Sequence, residues 1–121
     1  MNTPVREPED AREALDVIRE VGGEDLVRTI LRTFVHYADA QLSRVDTLAQ
    51  AGDAVEIARV AHSLKSSARQ VGAFSFADAC AAVEMAGAGA RDPQGALAGV
   101  PAMRREYAGA RRWLDAMAAA A

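Results

Sequence analysis

Apolar side chains in this chain recur at three- and four-residue steps, and glycines interrupt the pattern where helices have to stop. Ile57, Val60, Ala61, Leu64, Ala68 and Val71 form one such stripe. Leu26, Ile30, Phe34, Ala38, Leu42, Val45 and Leu48 form another. Phe76, Cys80 and Val83 make a third, and Leu97, Val100, Met103, Tyr107, Leu114 and Met117 a fourth. The β-branched alternation of a half-buried strand is missing. A helix with one apolar stripe must bury it against other helices, so the pattern predicts an all-α fold.

Punctuation divides the chain into five segments. Pro8 opens a short first helix over about 8–21, with Glu9, Asp10 and Glu13 near its positive end. Gly22-Gly23 ends it. A second helix runs from about Glu24 to Ala51 and stops at Gly52. Asp53 caps the third, and Glu56 three residues on completes an approximate capping box. That helix ends near Gly72, and Ser75 caps a fourth that ends around Gly87–Gly89. Arg91-Asp92-Pro93 reads as a turn. The fifth helix spans about Gln94 to Ala118, with Pro101 bending or delaying its start. The terminal Ala118–Ala121 is expected to fray. Four long helices with short connections predict an antiparallel, up-down-up-down four-helix bundle over about 24–118. The short additional N-terminal helix packs across one end as a lid, giving a single domain over residues 1–121. The very short link between the third and fourth helices makes them antiparallel neighbours.

Composition removes several function classes. No apolar run approaches the roughly 18 residues of a membrane span. The first seven residues lack the basic-then-apolar order of a secretion signal, so a cytoplasmic location is the default expectation. The lone Cys80 cannot form an internal disulfide and reads as a small core residue. A net charge of −3 argues against general nucleic-acid binding. The two histidines, His36 and His62, fall on different helices with no Glu-x-x-His pair, so no metal site is expected. His36, beside Phe34, Val35 and Tyr37, reads as structural. Tyr107 and Trp113 read as packing or rim residues. Arg104-Arg105 and Arg111-Arg112 read as a solvated face balanced by Glu106 and Asp115.

One residue stands apart from this structural reading. At 100° per residue, His62 lies roughly 150° from the centre of its helix's apolar stripe, so it faces water. Arg59, Lys65 and Arg69 lie at i−3, i+3 and i+7, in a stretch from Ile57 to Ala77 that holds no acid. These cations are expected to disfavour imidazolium and to attract an anion. Ala58 and Ser66, at i−4 and i+4, are small and leave the approach open. An exposed imidazole among cations suits a group that accepts a phosphoryl. Its orienting partner must come from a neighbouring helix. Glu84 lies about 40° from Cys80 around the fourth helix, on the seam, and the hairpin returns it alongside residue 62. A carboxylate there accepts the ring's Nδ1–H and leaves Nε2 free.

From Ala61 to Ala73 the sequence resembles the histidine-containing phosphotransfer (HPt) family. His62, Leu64, Lys65, Ser66, Ser67, Ala68, Gly72 and Ala73 stand in register with that family's signature. Phe76, Cys80, Val83 and Glu84 resemble its following helix, and Gly52-Asp53 its upstream opening. The likeness covers about residues 24–117 and is strongest over 53–86. One departure is Ser66, where glycine is commoner. The resemblance implies that His62 takes a phosphoryl from a receiver-domain aspartyl phosphate and passes it to another receiver. It implies that Lys65 holds the phosphoryl oxygens, Ser66 gives clearance and Glu84 fixes the ring. Arg59, Arg69 and Gly72 are further candidates for phosphoryl or partner binding. Mg²⁺ would belong to the partner receiver, with no cofactor of the chain's own. Partners would be response-regulator receiver domains and a sensor or hybrid histidine kinase. Leu15, Ile18 and Val21 are candidate docking residues. The chain would be a monomeric phosphoryl carrier, not an ATP-dependent kinase, as it has no Gly-rich nucleotide loop.

Of two rival readings, the sequence rejects the first and leaves the second open. A sensor-kinase dimerisation helix carries an acidic residue after its histidine and a proline five positions on. Those positions here are Ser63 and Ser67. Such a domain is also an obligate dimer. A non-catalytic helical adaptor would use the basic face only to dock receiver or kinase domains.

Overall fold

The computed structural model describes residues 9–120. Helix α1 spans Glu9–Gln50, α2 Ala54–Gln70, α3 Phe74–Gly87 and α4 Pro93–Ala120, with a 3₁₀ turn at Ala88–Ala90. Gly23, at φ 71° and ψ −167°, breaks α1 into two arms, so the expected first helix is the N-terminal arm. Pro8, expected to open it, lies outside the described residues.

Contacts run around the bundle in chain order, α1 on α2, α2 on α3, α3 on α4 and α4 back on α1. Cross-links show the antiparallel sense. Arg104 reaches Asp46 and the Leu42 carbonyl, whereas Arg111, two turns on, reaches back to Asp39. Near the other seam, Gly99 packs on Val83 and Ala96 on Gly87. Thus two of the arginines read as a solvated face tie α4 to α1. Asp39 also accepts the Tyr107 hydroxyl at 2.6 Å, so one carboxylate joins an aromatic and a cation across the same seam.

The core is continuous from Leu15 through Leu31, Ile57, Leu64, Phe76 and Met103 to Leu114. At its centre Phe76 meets Phe34 edge-on at 6.4 Å and Tyr107 at 5.2 Å between ring centroids. Such pairs add about 1 kcal/mol each beyond area burial. Trp113 packs half-buried against this core. On the long arm of α1 the buried stripe begins at Val27 and Leu31, while Leu26, Ile30 and Leu48, expected inside, are only half-buried. His36 is exposed and not structural. No helix among the described residues is long and apolar enough to cross a membrane.

Helix ends account for the register. Asp53 caps α2 through Oδ1, which accepts the Glu56 N–H at 3.2 Å. The reciprocal half of the expected capping box is absent, because the Asp53 N–H donates to Leu48 O at 2.9 Å. Glu56 instead pairs with Arg44 and Arg59. Helix α3 starts two residues earlier than expected, with Ala73 and not Ser75 in the cap position. Asp92, read as part of a turn, caps α4 by accepting the Gly95 N–H at 3.0 Å, with Pro93 as first helical residue. Pro101 sits within the unbroken α4, on its exposed side.

Gly72 carries the sharpest constraint. At φ 79° it closes α2 in a Schellman motif, with Ala73 N–H donating to Ala68 O at 2.9 Å and Gly72 N–H to Arg69 O at 3.3 Å. A Cβ there would stand 2.3 Å from the Ala11 Cα. The N-terminal arm therefore lies directly on the α2–α3 turn, as the expected lid. Gly72→Ala adds left-handed strain to a backbone clash and is expected to cost about 2 kcal/mol or more. Urea unfolding should show a lower midpoint at unchanged slope. An unchanged midpoint would mean that the arm does not rest on this turn.

Candidate functional site

His62 stands on the outer face of α2 at mid-helix, and its side chain is 61% exposed. Periodicity puts it there: Ala61, Leu64 and Ala68 are fully buried around it. Glu84 lies on α3, one residue past buried Val83, and reaches over the seam with a side chain 25% exposed. Its Oε2 lies 2.5 Å from His62 Nδ1, and its Oε1 accepts Lys65 Nζ at 2.5 Å. Lys65 is itself largely covered, at 18%. The structure thus brings together the three residues singled out as catalytic in the sequence.

The charges fix the chemistry of this triad. The hydrogen bond from Lys65, and then that from His62, hold the Glu84 carboxyl below its ordinary value despite its partial burial. Glu84 is therefore ionised near neutrality, and an ionised carboxylate only accepts. The proton between them belongs to His62 Nδ1. In the neutral ring Nε2 then carries a bare lone pair on the exposed imidazole.

The remaining candidates separate. Arg59 is exposed but engaged by Glu56, one helical turn back. Arg69 and Ser66 are exposed on the same helix. Gly72 is buried beneath Ala11, where it shapes the turn. Ala58, expected to keep the approach flat, is buried as well, where a Gly87 Cβ would crowd it. Its small size brings α3 close to α2 and floors a depression beside the ring that Val55, Arg59, Ser63 and Gly89 also line. Leu15 is core and unavailable for docking, Ile18 is half-buried and Val21 is 80% exposed. The cationic ring is less complete than the sequence suggested, since Lys65 is matched by Glu84 and Arg59 by Glu56.

One turn before Glu84 on α3 lies Cys80, fully buried. Burial, and then the Glu84 charge, push its thiol up to about 12. Among the described residues no cluster of three histidine, cysteine or acidic side chains fits a metal ion. Sequence reasoning passed over Met85 and Arg91, which border Glu84 on its other side. Met85 breaks the apolar periodicity of α3, and that break was the available signal.

Comparison with known proteins agrees with this geometry. The Hpt domain family matches residues 29–120. The crystal structure of histidine-containing phosphotransfer protein B (HptB) from Pseudomonas aeruginosa PAO1 is similar at 27% identity and a TM-score of 0.84. The match covers 96% of this chain and 99% of that one. No curated protein matches the chain.

Two measurements follow from the triad. The folded pKa of Glu84 is depressed, so its stabilisation is present above the unfolded value, about 4.3, and is lost as pH falls through the lower folded one. The stability gap between wild type and Glu84→Gln should be full at pH 7 and close progressively below about pH 4.3. A gap independent of pH would remove the ionised carboxylate from the account. Separately, alkylation of Cys80 at pH 8 should be far slower in the native protein than in urea. Equal rates would show that Cys80 is not shielded by the fold.

Proposed function

The chain belongs to the Hpt domain family and is a histidine phosphotransfer protein of phosphorelays, and on that premise we propose that His62 is its phosphoryl acceptor. The observation that carries this is the 2.5 Å contact between His62 Nδ1 and an ionised Glu84, which leaves Nε2 as the nucleophile. The donor is the aspartyl phosphate of a response-regulator receiver domain. The Nε2 lone pair attacks phosphorus in line, the N–P bond forms, and the P–O bond to the aspartate breaks with its electron pair staying on the carboxylate. No proton has to move. Nδ1 keeps its hydrogen, so the phosphorylated ring becomes cationic, and Glu84 is already placed to balance that charge.

Lys65 turns from Glu84 toward the incoming phosphoryl oxygens, a short movement of one flexible side chain. As the ring becomes positive, Glu84 can give up one of its two cations at lower cost. Ser66, one residue beyond Lys65, leaves room for the partner's active-site loops. Arg59 and Arg69 contribute attraction at longer range. Mg²⁺ is supplied by the receiver, whose carboxylates hold it. Reversal of the same step delivers the phosphoryl to a second receiver, and a sensor or hybrid histidine kinase feeds the first. A monomer in the cytoplasm fits this traffic, and Val21, exposed on the N-terminal arm, is a further candidate for partner contact.

Phosphotransfer from a radiolabelled receiver should give an acid-labile, base-stable label. His62→Gln is expected to abolish it. Glu84→Ala should slow transfer by about 10²-fold, and Lys65→Ala by about tenfold or more. Label that survives in His62→Gln would overturn the assignment. A folded His62→Gln protein that keeps its pathway output would favour an adaptor.

A further inference from the structure

The His62–Glu84 pair is a ridge between two depressions. One is floored by Ala58; the other is lined by Lys65, Arg69, Met85 and Arg91. Glu84 and Ala88 border both, so the two form one surface that continues past the nucleophile onto the end of α3. The second depression is cationic. Its one acid is Glu84, whose two oxygens already face Lys65 and His62. Arg69 and Arg91 make no ion pair with any other described residue. Met85, 69% exposed and next to Glu84 in the chain, adds an apolar side chain to the same depression.

The backbone holds Arg91 there. Gly89 and Ala90 are successive left-handed residues, at φ 60° and 57°, and Ala90 is the only non-glycine of positive φ among those described. They fold the chain back on α3, with Arg91 N–H donating to Ala88 O at 3.2 Å and Asp92 N–H to Ala86 O at 2.7 Å. Arg91 is thereby carried on a fixed turn beside the last turn of α3, not on a free loop. A partner that holds a divalent cation next to an aspartyl phosphate needs several carboxylates around it, so its active-site rim is acidic. Such a rim, brought over His62, finds its complement in Arg69 and Arg91 and a dry contact in Met85.

We propose that Met85 and Arg91 form the partner-selecting ledge of this site, across which a phosphorylated receiver domain lays its acidic active-site rim. This rests on the phosphotransfer reading of His62. The ledge touches neither the phosphoryl nor the ring. It sets which receivers dock and how tightly, and leaves the rate of the transfer step to the triad.

The test uses the full chain and a panel of receiver domains labelled with radioactive acetyl phosphate and Mg²⁺, taking forward one receiver that labels wild type. Initial transfer rates are measured against receiver concentration and salt. Arg91→Glu should raise KM by about tenfold with the maximal rate within about twofold, and should flatten the salt dependence. Met85→Ala should raise KM by about threefold, with salt dependence unchanged. Arg91→Lys should restore most of the lost KM, which keeps the test sound if the reversal disturbs the turn. Arg112→Glu, on α4 and in neither depression, is the control and should match wild type. Unchanged KM and salt slope in both Arg91→Glu and Met85→Ala, or a loss confined to the maximal rate, would overturn the ledge. No label on wild type from any receiver would instead overturn the reading of His62, and the ledge with it.

Discussion

The turn between α2 and α3 sets everything that follows at the site. Gly72 closes α2 in a left-handed conformation under the Ala11 backbone, and Ala73 starts α3 at once. With so little chain between them, the two helices have one register available. That register brings residue 84 beside residues 62 and 65, and residue 87 beside 58. Small residues then let the helices close: a Cβ at Gly87 would stand 2.6 Å from the Ala54 carbonyl. Packing of Phe76, Val83 and Leu64 beneath the hairpin makes the arrangement stiff, so a triad of surface side chains inherits the rigidity of the core.

Within the triad, Glu84 acts on two neighbours in different ways. Toward His62 it selects which nitrogen carries the proton. Toward Lys65 it holds a cation at the site without leaving that charge to oppose the ring. Free cations around an imidazole would resist the positive charge that N-phosphorylation creates. A cation already matched by a carboxylate does so less, and it remains near enough to meet phosphoryl oxygens when they arrive. The arginines of α4 show the same economy elsewhere. Arg104 and Arg111 look like surface charge in the sequence but hold α4 against α1 through Asp46 and Asp39.

Legibility in the sequence followed periodicity. The four stripes gave the helices, and the glycines at 23, 52 and 72 their breaks. His62 was visible because it opposes its own stripe, and Glu84 because a short link forces antiparallel pairing. What could not be read depends on side-chain choice among nearby partners. Glu56 completes no capping box, because a backbone carbonyl reaches Asp53 first. Arg59, Lys65 and Arg69 look alike in sequence, yet one is matched within its helix, one across the seam and one faces solvent. Leu15 and Val21 are equally apolar in the short first segment, and only the way that arm lies over the Gly72 turn decides that one is core and the other exposed. Arg91 was hidden in a turn whose path depends on two left-handed residues.

The central claim is that Glu84 holds the Nδ1 proton and leaves Nε2 to react. It is tested most directly by nitrogen-15 NMR of the His62 ring, free and phosphorylated. The account predicts that the neutral ring carries its proton at Nδ1, and phosphorus–nitrogen coupling at Nε2 after transfer, with both signatures weakened in Glu84→Gln. A ring protonated at Nε2, or phosphorus on Nδ1, would contradict it.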